Sequence, residues 1–195
     1  MPLPRFTRLP DEEQRRILDV ALEAFAAEGV QTASYNQIIA AAGISRSSAY
    51  NYFDGRDDLL NAVLDDVAER VHASLGEWPG ADDADTFWKQ FFDGAERMAK
   101  HVENNPSDLA LLDMAFIDRL RGGYADWVAA FVDTGVRLGL ITIAIERGLI
   151  VSATLSMLGT LDGWATERLR QGEMPDPEVF RTVLTHLWGT PESAR

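Results

Sequence analysis

Two short helical segments joined by Ala41-Ala42-Gly43-Ile44-Ser45 constrain this chain more than any other stretch. A three-to-four-residue turn containing glycine, followed at once by a helix that starts on serine, is the sequence form of a helix-turn-helix. Gly43 supplies the backbone freedom that such a turn needs. Upstream, Ser34 and Gln37 have the spacing of a capping box ahead of Ile38, Ile39 and Ala42. Downstream, Ser45 is read as the cap of a helix through Phe53, after which Asp54-Gly55 punctuates. Ile38, Ile44, Ala49 and Phe53 are placed to pack the two helices together. An earlier helix opens near Asp11, with Gln14 three residues on. It carries Ile17, Leu18, Ala21, Leu22 and Phe25 on one face and stops at Gly29. A fourth starts at about Arg56, with Leu60, Val63, Leu64, Val67 and Val71 as its apolar stripe.

The remaining segments are also read as helices, so the expected fold class is all-α. Gly76 to Asp83 is the clearest linker. Helices are expected over Asp85–Val102, from Pro106, over Tyr124–Leu138 after a break at Gly122-Gly123, over about Arg147–Gln171, and from Asp176-Pro177 to Gly189. Leu140 to Ile145 has strand-like β-branched residues but no partner strand, and is read as an extended connection. The expected domains are 1–56 and 57–195, with helix 57–75 connecting them and a linker over 76–84.

Composition removes whole classes of function. The chain has 195 residues and no cysteine, which excludes disulfides, cysteine-held metals and a cysteine nucleophile. His72, His101 and His186 are far apart in sequence, without metal-ligand spacing, so no metal or cofactor is expected. No phosphate loop, nucleophile elbow or zinc-protease motif is present, so no enzyme is expected either. No stretch is long enough to span a membrane and no signal peptide is read, which implies a cytoplasmic protein. The net charge is −13. Residues 1–60 hold six arginines against nine acids, so any contact with nucleic acid depends on a few placed groups rather than on a basic field.

Those groups are legible. The helix after Ser45 exposes Arg46, Ser47, Ser48, Tyr50, Asn51 and Tyr52, a row of small and planar hydrogen-bonding residues without an acid. A DNA major groove admits a helix bearing such a row. The spacing alone is equally consistent with a core helix pair. Tyr50 and Tyr52 also read as half-buried aromatics, and Arg46 as a solvated charge.

The run Ile17–Phe25 through Gly29, the segment Ser34–Phe53 and the start Arg56-Asp57-Asp58-Leu59-Leu60 together resemble TetR-family transcriptional regulators. The resemblance covers roughly residues 10–65. It implies an N-terminal three-helix helix-turn-helix domain followed by a helical-bundle domain for ligand binding and dimerisation. It further implies a sequence-specific DNA-binding regulator, a repressor released by a small-molecule effector. The DNA-contacting residues it implies are Tyr35, Asn36, Ser45, Arg46, Ser47, Ser48, Tyr50, Asn51, Tyr52 and Arg56. The partners are a pseudo-palindromic duplex operator, the effector, and a second copy of the chain docked through helices near 147–171 and 176–188. Ala33, Ile39, Ser47 and Ala49 depart from the residues usual in that family, so the operator sequence cannot be read. Neither the effector nor the regulated genes are legible. The aromatic and methionine residues beyond the linker supply effector candidates Phe91, Met98, Met114, Trp127 and Phe131, although helical spacing alone also makes them core. Asp113, Asp118, Asp133 and Asp162 lie in apolar stretches, where they either line a pocket or face water. A helical-bundle binding protein with a degenerate helix-turn-helix is the rival reading, and the acidic charge favours it.

Overall fold

A computed structural model describes residues 2–111 and 114–189, with the side chains of 114–122 outside the description. Its elements are α1 (Asp11–Glu28), α2 (Tyr35–Ala41), α3 (Arg46–Tyr52), α4 (Arg56–Leu75), α5 (Ala84–Asn104), α6 (Pro106–Leu111), α7 (Met114–Arg137), α8 (Arg147–Arg170) and α9 (Glu178–Trp188). No strand occurs among the described residues. The fold class is all-α, with a helix-turn-helix near the N-terminus and a helical C-terminal part.

The chain divides into two compact units, Met1–Arg70 with Val102–Leu112, and Val71–His101 with Asp113–Arg195. Residue 56, the expected boundary, is the first residue of α4. In the first unit Ile17, Ala21, Leu22 and Phe25 of α1 are buried, with Ile38 and Ile39 of α2, Ala49 of α3 and Phe53. These are apolar positions that periodicity marks, although Leu18, marked on the same face of α1, is only half-buried. On α4 Leu59, Ala62 and Val63 are buried in the first two turns, whereas Leu60 is only half-buried. Helix α6 packs on α1. Its Asp108 is buried and pairs with Arg70 Nη2 at 3.0 Å, and Ser107 Oγ donates to Glu23 Oε1 at 2.7 Å.

Neither Asp11 with Gln14 nor Ser34 with Gln37 forms a capping box, for a local reason. Pro10 occupies the N-cap of α1, so Asp11 is already helical and Gln14 instead donates its amide to the Leu9 carbonyl at 2.8 Å. Ser34 is the N-cap of α2, but its hydroxyl makes no capping bond. Ser45 does cap α3, its Oγ accepting from the Ser48 amide at 3.1 Å.

The second unit is built on aromatic rings. Phe131 lies 4.6 Å from Phe87, 5.3 Å from Phe91 and Trp127, and 5.0 Å from Trp78. Trp78 donates its indole N–H to Thr134, and Trp188 donates to the buried Thr154. Gly122-Gly123 does not interrupt the chain: α7 runs through both. A Cβ at Gly123 would meet the His72 ring at 3.5 Å, and that ring packs on Tyr124. That distance is ordinary van der Waals contact, so the His72 ring leaves room for a side chain at this position. Residues 140–145 form a connection rather than a strand. The amides of Thr142 and Ile143 both donate to the Trp188 carbonyl at 3.0 Å.

Candidate nucleic-acid interface

Helix α2 ends where Gly43 turns with φ +66°, a left-handed conformation that costs glycine little. The turn is held from outside, because Arg16 of α1 donates through Nη1 to the Ala42 carbonyl. That contact escapes sequence reading, since 26 residues separate the partners. The turn aims α3 so that Ala49 is fully buried and its flanks are not.

Arg46, Ser47 and Asn51 are exposed, Tyr50 is 56% exposed, and Ser48 and Tyr52 are half-buried. Ser45 Oγ also lies 3.0 Å from Ser47 Oγ and 2.9 Å from Ser48 Oγ, so three hydroxyls gather at the start of the helix. Asn51 donates its side-chain amide to the Ser47 carbonyl at 2.8 Å, one turn back. Its carbonyl oxygen keeps its accepting capacity. Tyr52 packs edge-on against Phe6, while Tyr50 faces the ring of Tyr35 at 6.0 Å. Of the two tyrosines, Tyr52 is thus the one drawn into the core.

Asn36 is exposed on α2. Tyr35 is half-buried, and its hydroxyl has no acceptor among the described residues. Burial pushes that phenol upward, with Tyr50 and Asp58 adding to the shift. Arg56 is turned inward: Nε donates to the Ala33 carbonyl at 3.0 Å, the guanidinium lies over Phe25, and Nη1 pairs with Asp57. The same residue fixes the start of α2 through Ala33. Its Nη2 lacks an acceptor among the described residues. A buried donor without an acceptor carries a desolvation cost.

The effector candidates separate. Phe91, Trp127 and Phe131 come together, stacked within the aromatic core. Met98 is half-buried, its sulfur accepting from Tyr124 Oη at 3.7 Å. Met114 begins α7, and its side chain lies outside the described residues. Burial of Tyr124, with Asp162 adding, holds its hydroxyl protonated. Among the described residues no cluster of three metal-ligating side chains occurs, and no helix is long and apolar enough to cross a membrane.

Residues 17–63 match the sequence pattern of the bacterial regulatory proteins of the tetR family. Over 62 residues the chain is 44% identical to the HTH-type transcriptional regulator SrpR of Pseudomonas putida, covering 32% of this chain and 28% of that one. It is 44% identical over 61 residues to the uncharacterized HTH-type transcriptional regulator TtgW, also of Pseudomonas putida, covering 31% and 43%. The aligned stretch thus spans less than half the length of these relatives. Among solved structures, the fatty acid degradation regulator FadR from Bacillus halodurans superposes with a TM-score of 0.68 at 18% identity, over 95% of this chain and 98% of that one. RolR superposes with a TM-score of 0.62 at 21% identity, over 90% of each chain. The similarity in sequence lies in the helix-turn-helix, and the similarity in fold extends through the rest.

Proposed function

Since residues 17–63 of this chain belong to the tetR family of bacterial regulatory proteins, we propose that it is a sequence-specific DNA-binding transcriptional regulator. In this reading it is a repressor that a small-molecule effector releases from a pseudo-palindromic operator. The observation that carries it is the outward side of α3, where Arg46, Ser47, Tyr50 and Asn51 stand exposed with no acid among them. Major-groove edges offer acceptors to Arg46 and both donors and acceptors to Asn51. Ser45, Ser47, Ser48, Asn36, Tyr35 and Tyr52 supply hydroxyl and amide groups for backbone contacts, which set register without reading sequence. Arg56 contributes by holding Ala33, and hence α2, and through the Nη1 now paired with Asp57.

DNA binding is assigned to residues 1–56, effector binding and dimerisation to 57–195, and the protein acts in the cytoplasm. One short recognition helix reads too few base pairs for genomic specificity, so two copies are needed. Helix α8 is suited to bring them together. It has no charged residue between Arg147 and Asp162, and its exposed Leu149, Ser152, Ser156 and Thr160 leave room for close helix approach. The effector would enter beside Phe91, Met98, Trp127 and Phe131, which requires the ring stack to open. Met114 belongs to the same candidate group by sequence.

The test is binding of a fluorescent duplex taken from upstream of the protein's own gene. The expected result is tighter binding than to a shuffled duplex, weakened by Arg46→Ala. Equal affinity for both duplexes removes sequence-specific regulation. The net charge of −13 favours the rival reading, a helical-bundle binding protein. That reading predicts no measurable DNA binding at moderate salt.

A further inference from the structure

Residues 2–9, ahead of α1, form a structured arm. The Phe6 amide donates to the Leu3 carbonyl at 2.9 Å and the Leu9 amide to the Phe6 carbonyl at 3.0 Å, giving two consecutive four-residue turns of 3₁₀ type. In such a path residues three apart eclipse one another. Leu3, Phe6 and Leu9 therefore share one side, and Arg5 and Arg8 share another. The burial pattern agrees: Phe6 is buried, Leu3 and Leu9 are half-buried, and both arginines are exposed.

The apolar side is fixed to the helix-turn-helix. Phe6 packs 4.7 Å from the Phe53 ring and 6.2 Å from that of Tyr52, at the end of α3. The Leu3 amide donates to the Tyr52 carbonyl at 2.8 Å. At its other end the arm is tied to α1 by Gln14, which bonds the Leu9 carbonyl. The two arginines thus ride on a segment held at both ends, so presenting them to a ligand requires little new ordering.

Charge gives this arm its purpose. Residues 1–60 are net acidic, with six arginines. Arg16 is engaged by the Ala42 carbonyl, and Arg56 by Ala33, Phe25 and Asp57. Arg5 and Arg8 carry no ion pair among the described residues. We propose that this arm is a second DNA-binding site, in which Arg5 and Arg8 grip backbone phosphates of the duplex beside the stretch read by α3. The contact is sequence-independent, and it rests on the reading of α3 as a DNA-binding helix.

The experiment titrates the full-length protein, and its Arg5→Gln/Arg8→Gln variant, into two duplexes at several salt concentrations. One duplex comes from upstream of the gene and the other is unrelated in sequence. Loss of two phosphate contacts reduces the log–log salt slope by about 1.8 per protomer, and affinity near about 0.1 M salt falls roughly 10- to 100-fold for both duplexes. Arg5→Lys/Arg8→Lys keeps the charges and restores most of the binding. Unchanged affinity and slope in the glutamine variant, with a parent that binds, overturn the arm contact alone. A loss confined to the upstream duplex also overturns it, because phosphates carry no sequence. A parent that binds neither duplex overturns both this inference and the function it rests on.

Discussion

Ser34 and Ser45 occupy the same nominal place, the residue before a short helix, yet only Ser45 closes a capping bond. Ser45→Ala removes that bond, and the hydroxyl contacts with Ser47 and Ser48 go with it. It is expected to cost about 1 kcal/mol in urea unfolding. Ser34→Ala is expected to stay within about 0.5 kcal/mol of the parent, as for a surface change away from any special feature. Equal costs would mean that the Ser34 hydroxyl caps α2 in solution. Sequence spacing assigns both serines the same role because it carries residue type but not rotamer. The exposed row of α3 is more legible, since an isolated amphipathic turn of helix decides which side chains point away from Ala49. The inward turn of Arg56 is not legible, because its partners Ala33 and Phe25 lie 23 and 31 positions away in the chain and meet it only after folding.

At the scale of elements, the helices follow from apolar periodicity and from glycines such as Gly29 and Gly43. Gly122-Gly123 is the exception. Two glycines in sequence signal a break, but the helix runs through both, and burial of Tyr124, Trp127 and Val128 just beyond them outweighs a cost of about 1 kcal/mol each. Gly123→Ala is therefore expected to stabilise the protein by about 0.5–1 kcal/mol. Its Cβ would make only ordinary contact with His72, and the backbone there is already helical. A lower melting temperature would show that His72 cannot yield. Helices α7 and α8 are also joined by Arg147 and Asp133, whose two bonds measure 2.7 and 2.6 Å. Hydrogen bonding from Arg147 holds the Asp133 carboxyl below its ordinary value. The folded state thus binds fewer protons than the unfolded one just below that value. The pair's stabilisation is present at neutral pH and is lost as pH falls through the lowered value. Asp133→Asn should weaken stability at about pH 6, with the deficit shrinking in high salt and vanishing in strong acid. A deficit that persists in acid would assign the effect to packing, since both side chains are solvent-exposed. Asp66 acts with the opposite sign, because burial raises its carboxyl and favours the folded state at lower pH.

For the whole molecule, charge decides how two copies can meet. Each chain carries −13, so association through acidic faces is repelled, and the repulsion grows as salt is removed. An uncharged face is the low-cost route. Helix α8 provides one between Arg147 and Asp162, with Leu149 58% exposed at its start. In a two-fold arrangement the same residue from each copy approaches the axis, so one substitution acts twice. Ser156→Glu would set two carboxylates near each other at that axis without touching the buried Thr154, Leu158 and Leu161 on the inner side of α8. The expected outcome in light scattering is a parent dimer and a variant of half its mass, with an unchanged helical spectrum. Binding to a two-half-site duplex should then fall steeply, because each copy must bear its own association cost, while binding to a single half-site is unaffected. A variant that remains dimeric would move the interface off α8. A parent that is monomeric at micromolar concentration would leave one recognition helix reading a single half-site.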